Sequence, residues 1–128
     1  MHKGYLQSAS LLAALSIAMG AFGAHALKEM VSNNAVSIFE TGVRYQFYHV
    51  FALFIIAMLY KEFPNKFIIN AGRFFIAGII LFSGSLYLLT LLQATVGDGY
   101  NWVGAITPVG GLCFIAGWIM LFIALKRR

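Results

Sequence analysis

Four stretches of this chain carry no Asp, Glu, Lys or Arg: residues 4–27, 45–60, 74–97 and 99–125, which are 24, 16, 24 and 27 residues long. A helix needs about 20 mainly apolar residues to cross the hydrocarbon core of a bilayer. Three of the runs meet that length unaided, and the second reaches it with the residues just before it. In a chain of 128 residues this leaves no room for a sizeable soluble domain. Only 10% of residues are charged, whereas water-soluble domains carry about 25%. A soluble enzyme, a DNA-binding domain and a disordered tail are excluded together, because none could build a polar skin or remain solvated.

The expected fold is all-α, an integral membrane bundle of four transmembrane helices near residues 5–27, 41–60, 67–92 and 102–125. Helices are required because backbone groups in lipid must pair within their own segment. Orientation comes from the basic residues. Lys3, Lys61, Lys66, Arg73, Lys126, Arg127 and Arg128 fall on one side, against Lys28 and Arg44 on the other. Both termini are therefore expected in the cytoplasm, and the chain in a bacterial inner (cytoplasmic) membrane, with the lipid bilayer as its first partner. Residues 61–66 read as a short turn in which Pro64 stops the second helix, and Gly97-Asp98-Gly99 as a second turn. Tyr100 and Trp102 suit the aromatic belt of the outer interface. Thr107-Pro108 reads as the cap and first position of the last helix proper, with residues 101–106 partly irregular before it. Between the first two helices, Asn34 is expected to cap a short interfacial helix through Phe39 that bends at Gly42 into the second span.

The formal charge of +5 does not indicate nucleic acid, because the basic residues flank apolar runs and form no stripe. Cys113 is the single cysteine and reads as a small buried side chain. No cysteine–histidine spacing resembles a zinc site, and the sequence calls for no cofactor. The first run imitates a signal peptide ending in Ala24-His25-Ala26, but its length suits a retained helix. No internal repeat suggests a transporter built from matching halves.

At 100° per residue, Gln7, Ala14, Ala18, Ala21 and His25 share one face of the first helix, and Ala9, Ser16, Gly20 and Gly23 nearly the opposite face. Small residues let helices approach closely in lipid. Two such faces predict neighbours on both sides, either both within a four-helix monomer or one of them a second copy or a larger membrane complex, with Leu12, Leu15, Met19 and Phe22 turned to lipid or a looser contact. Ser83-Gly84-Ser85, Gly110-Gly111 and Gly117 predict further close packing, with the two serines bonded to backbone.

The candidate site is a polar cup at the outer rim. Glu40, Thr41, Arg44, Tyr45, Tyr48 and His49 occupy one half of the second helix, with Glu40 and Arg44 at the i,i+4 spacing of an ion pair. His25, Thr107, Asp98 and Asn101 approach from the same side. Such a cup fastens helix ends, binds a ligand or ion, or docks a partner. His25 and His49 raise bis-histidine haem ligation. Against it, His25 lies at a helix end and His49 about 12 Å beyond the expected start of the second helix. No catalytic constellation is present, and all four acids (Glu29, Glu40, Glu62, Asp98) sit at ends or in loops, unlike the buried carboxylates of proton-coupled exporters.

Gly20-Ala21-Phe22-Gly23-Ala24-His25-Ala26-Leu27, Thr41 with Arg44-Tyr45-Gln46-Phe47-Tyr48-His49, Gly84-Ser85-Leu86-Tyr87 and Thr107-Pro108-Val109-Gly110-Gly111 occur in this order along the chain. Together they resemble the family known as domain of unknown function 423, small bacterial inner-membrane proteins with an animal relative called transmembrane protein 256. The resemblance spans almost the whole chain. It implies a four-helix membrane protein and assigns no activity and no functional residue. The resulting expectation is a non-enzymatic interaction or accessory subunit acting through helix packing. The alternatives are a small-solute or ion conduit using the outer cup, and a haem or metal carrier using the two histidines.

Overall fold

In a computed structural model that describes residues 1–97 and 99–127, the apolar runs become helices long enough to cross a bilayer. They are α1 (Lys3–Ala24), α2 (Asn33–Leu59), α3 (Lys66–Gly78), α4 (Gly84–Thr95) and α5 (Thr107–Lys126). A π-helical turn, Ile79–Ser83, joins α3 to α4, so that Lys66–Thr95 forms one span. Short 3₁₀ turns at Leu27–Glu29 and Asn101–Ala105 precede α2 and α5. The late start of the last helix matches the sequence expectation. Asp98 and Arg128, which contribute to the expected turn, cup and charge asymmetry, lie outside the described residues.

The first connection differs from expectation. Residues 34–39 are not a separate interfacial helix but the first turns of an unbroken α2, capped by Ser32 rather than Asn34, with the Ser32 hydroxyl accepting from the Ala35 amide at 3.2 Å. The buried stripe explains the continuity. Val36, Phe39 and Val43 bury together with Leu27 and Tyr87, and that row passes Gly42 without interruption. Gly42 is held rather than bent, since its carbonyl accepts from the Ser83 hydroxyl at 2.6 Å. The short helical piece of this connection is the 3₁₀ turn after His25.

Both ends of the chain are tied to one rim. The His2 amide donates to the Ala57 carbonyl at 2.9 Å. Asn65 accepts from the amides of Phe67 and Ile68, capping α3, while its own amide donates to the carbonyls of Ala124 and Arg127. Lys3, Lys61, Lys66, Lys126 and Arg127 therefore share that rim, as the charge asymmetry requires, whereas Arg73 lies two turns inside α3. Asn65→Ala removes a cap and two ties to α5 at once. It is expected to cost about 1 kcal/mol, the usual value of an N-cap, read as a lower thermal midpoint in detergent.

Aromatic rings seated on glycines bring α3 and α5 together. A Cβ on Gly78 would collide with the Phe114 ring, and one on Gly117 would lie 2.6 Å from the Phe75 ring. At Gly110 the obstacle is backbone, the amide nitrogen of Phe82. On the other flank, Ala9, Ser16 and Gly23 of α1 are buried, and Gly23 faces the Phe39 ring of α2. Leu12, Met19 and Phe22 also pack partly inward, leaving Leu15 with Leu11 and Ile17 as the large exposed residues of α1. The second small face, Gln7, Ala14, Ala18, Ala21 and His25, is exposed along its whole length.

Candidate functional site

The most chemically defined position is His49, buried between α2 and α5. Trp118 Nε1–H donates to His49 Nε2 at 3.0 Å, and His49 Nδ1 lies 2.7 Å from the Tyr45 carbonyl one turn earlier. Indole can only donate and a carbonyl can only accept. The two partners therefore specify a neutral imidazole with its proton on Nδ1. Phe114 stacks on the imidazole at 3.6 Å and 8°, and Phe75 closes on Trp118 at 4.9 Å. Beside this box, a groove of about 360 Å³ runs between α2 and α5, walled by Tyr45, Phe82, Gly111 and Ile115.

A second polar centre lies at Gln46, which is 1% exposed. Its amide donates to the Leu12 carbonyl of α1 at 3.0 Å, and its oxygen accepts from the Tyr87 hydroxyl of α4 at 2.7 Å. Ser83 bonds the Gly42 carbonyl, and Ser85 bonds the Phe82 carbonyl and meets Thr107 Oγ1 at 2.6 Å. Ser83 and Ser85 are two residues apart, about 200° around a helix, so that Ser83 reaches α2 while Ser85 reaches α5. Among the described residues, no buried side-chain nitrogen or oxygen lacks a hydrogen-bond partner.

The predicted cup residues are divided among separate places. Tyr45 and His49 meet in the aromatic site, and Tyr48 touches Tyr45 edge-on at 5.7 Å. Thr107 is the first helical residue of α5 and turns its hydroxyl to Ser85 instead of capping the helix. Thr41 bonds back to the Ser37 carbonyl within α2. Glu40 and Arg44 point outward and exposed, and among the described residues no ion pair joins them. His25 ends α1, exposed. Gly23 just before it packs at the level of Phe39, and His49 lies ten residues further along α2, about 15 Å away by helical rise. The two histidines thus occupy different depths, and both ring nitrogens of His49 are already engaged.

Trp118, Gln46, Tyr87, Ser83 and Ser85 connect the spans, yet none belongs to the cup that the sequence predicts. Gln46 is within reach of sequence reasoning, because on a helical wheel it falls with Val43 and Val50 on the face that packs.

The four spans, the shared rim of both termini and the closed polar clasps define a small polytopic membrane protein. Residues 19–111 match the family described as "Protein of unknown function (DUF423)", and the chain belongs to that family. It is 38% identical over 123 residues to the UPF0382 membrane protein YwdK of Bacillus subtilis, covering 95% of both chains. A UPF0382 membrane protein of Staphylococcus aureus is 43% identical over 95% of this chain and 94% of its own. The UPF0382 membrane protein of Haemophilus influenzae is 36% identical over 94% and 92%. No solved structure matches the chain.

Proposed function

We propose that the protein is a non-enzymatic interaction or accessory subunit of the bacterial cytoplasmic membrane, with both termini in the cytoplasm, acting through its outward helix faces. The observation that carries this reading is the state of the interior. Every buried polar side-chain atom among the described residues is bonded within the chain. Ser16 and Thr90 bond carbonyls of their own helices, whereas the bonds of Gln46, Ser83, Tyr87 and Trp118 run from helix to helix, so the inward chemistry serves the bundle itself. The faces left for other molecules point outward, chief among them Gln7, Ala14, Ala18 and Ala21 on α1, where small side chains permit close helix approach.

Extraction of the tagged full chain in a mild detergent, followed by cross-linking and mass spectrometry, tests the reading. A membrane protein is expected to co-purify through α1 and to be lost in Ala18→Phe, with the thermal midpoint unchanged. Recovery of the wild-type chain with no other membrane protein attached overturns the reading.

A further inference from the structure

The exposed faces of α2 and α5 differ in chemistry. Along α5 the large exposed residues are Val109, Leu112, Ile115, Trp118, Ile119, Phe122 and Leu125, an apolar surface suited to lipid. Along α2 the inner half exposes Phe51, Ile55 and Met58, but the outer half exposes Ser37, Glu40, Arg44, Tyr45 and Tyr48. Arg44 is also deep. Fifteen residues separate it from Leu59 at the inner end of α2, about 22 Å of helix and so about 8 Å short of the far edge of a hydrocarbon core of about 30 Å. Charged residues at such depth face protein, water or, by snorkelling, headgroups rather than acyl chains. Here α2 turns Arg44 away from its own bundle.

We propose that the outer face of α2 is the interface with a second copy of this chain. This rests on the proposed function by association, and it names one partner. Two observations favour a second copy. The exposed and half-exposed residues Ser37, Thr41, Arg44, Tyr48, Phe51 and Ile55 succeed one another at spacings of four and three, the seam by which two helices pack along their length. The face is also self-complementary in charge. Copies sharing one membrane and related by a two-fold axis along its normal bring their α2 helices together in parallel. Arg44 of each copy then needs to reach only one turn, about 6 Å, to the Glu40 carboxylate of the other. Two reciprocal ion pairs form, and no charge on this face is left facing lipid.

Disulfide cross-linking in native membranes tests the proposal, in full-length chains carrying Cys113→Ala to remove the natural thiol. Thr41→Cys and Tyr48→Cys are expected to cross-link, and Leu112→Cys on α5 is not. Added to Thr41→Cys, Glu40→Arg or Arg44→Glu alone places like charges together and is expected to lower the cross-linked fraction at least about tenfold. Glu40→Arg combined with Arg44→Glu is expected to restore it. The proposal is overturned if Thr41→Cys cross-links no better than Leu112→Cys, or if the double reversal fails to rescue in chains that keep the wild-type thermal midpoint. Anionic lipid that co-purifies with the wild type and is lost in Arg44→Glu, with no cross-link at either α2 position, assigns the face to headgroups and also overturns it. The cysteine pair leaves both charges intact, so it decides even where a reversal does not fold. A dimer without any other membrane protein would sustain this inference while overturning the accessory-subunit reading.

Discussion

Gly110→Ala is expected to be among the most damaging single-methyl changes this protein can suffer, while Gly111→Ala next to it is expected to be harmless or mildly stabilising. The added Cβ at position 110 would collide with the Phe82 amide nitrogen and lie 2.7 Å from the Leu81 carbonyl carbon and the Phe82 Cα. All three are backbone atoms of the π turn, and α5 opposite them is a continuous helix, so no rotamer change relieves the contact. The helices must separate, and overpacking of this kind costs about 1–3 kcal/mol. At position 111 the nearest atom is a Phe82 ring carbon at 3.9 Å, ordinary van der Waals contact. There the helix gains up to about 1 kcal/mol from losing a glycine. Thermal midpoints of the two variants in the same detergent should therefore move in opposite directions or by very different amounts. Separation of α5 from the π turn should also weaken the indole–imidazole bond, since Trp118 lies two turns further along the same helix. An equal effect of the two substitutions would contradict the backbone contact.

The same pair shows what can be read from the sequence. Close packing is the sequence expectation for both glycines, because residue type reports that a helix can be approached. It does not report which side the approach comes from, and Gly111 lines a groove. The four spans and the one rim that both termini share are legible, since run length and basic flanks respond directly to bilayer thickness and charge cost. The candidate cup is less so. Its residues share one half of a helical wheel, but a wheel does not say which half meets protein. Here the division falls within that half, leaving His49 buried while Glu40, Arg44 and Tyr48 stay outside. The π turn is not legible at all. It lies where α5 meets the Leu81–Phe82 backbone and Ser83 bonds Gly42, contacts made by residues distant in sequence.

Gln46→Leu should be comparably severe, for an electrostatic reason instead of a steric one. Leucine fits the surrounding apolar residues in size but neither donates to the Leu12 carbonyl nor accepts from the Tyr87 hydroxyl. The phenol, already buried against Phe39, then loses its 2.7 Å acceptor and keeps only the neighbouring Ser83 hydroxyl, in a medium with no water to replace the bond. An unsatisfied buried donor costs about 1–3 kcal/mol. Tyr87→Phe removes the donor itself and strands the buried Gln46 amide oxygen, so it too is expected to cost about 1–3 kcal/mol. The decisive variant combines the two. If the stranded hydroxyl is what destabilises Gln46→Leu, adding Tyr87→Phe should recover part of the loss, and the double variant should be more stable than Gln46→Leu alone. Simple addition of the two losses would mean that the pair is not coupled and that Gln46 acts chiefly through α1. The sign of the coupling, measured from unfolding midpoints of the four proteins, thus separates a clasp running from α1 through α2 to α4 from two independent contacts that happen to share one side chain.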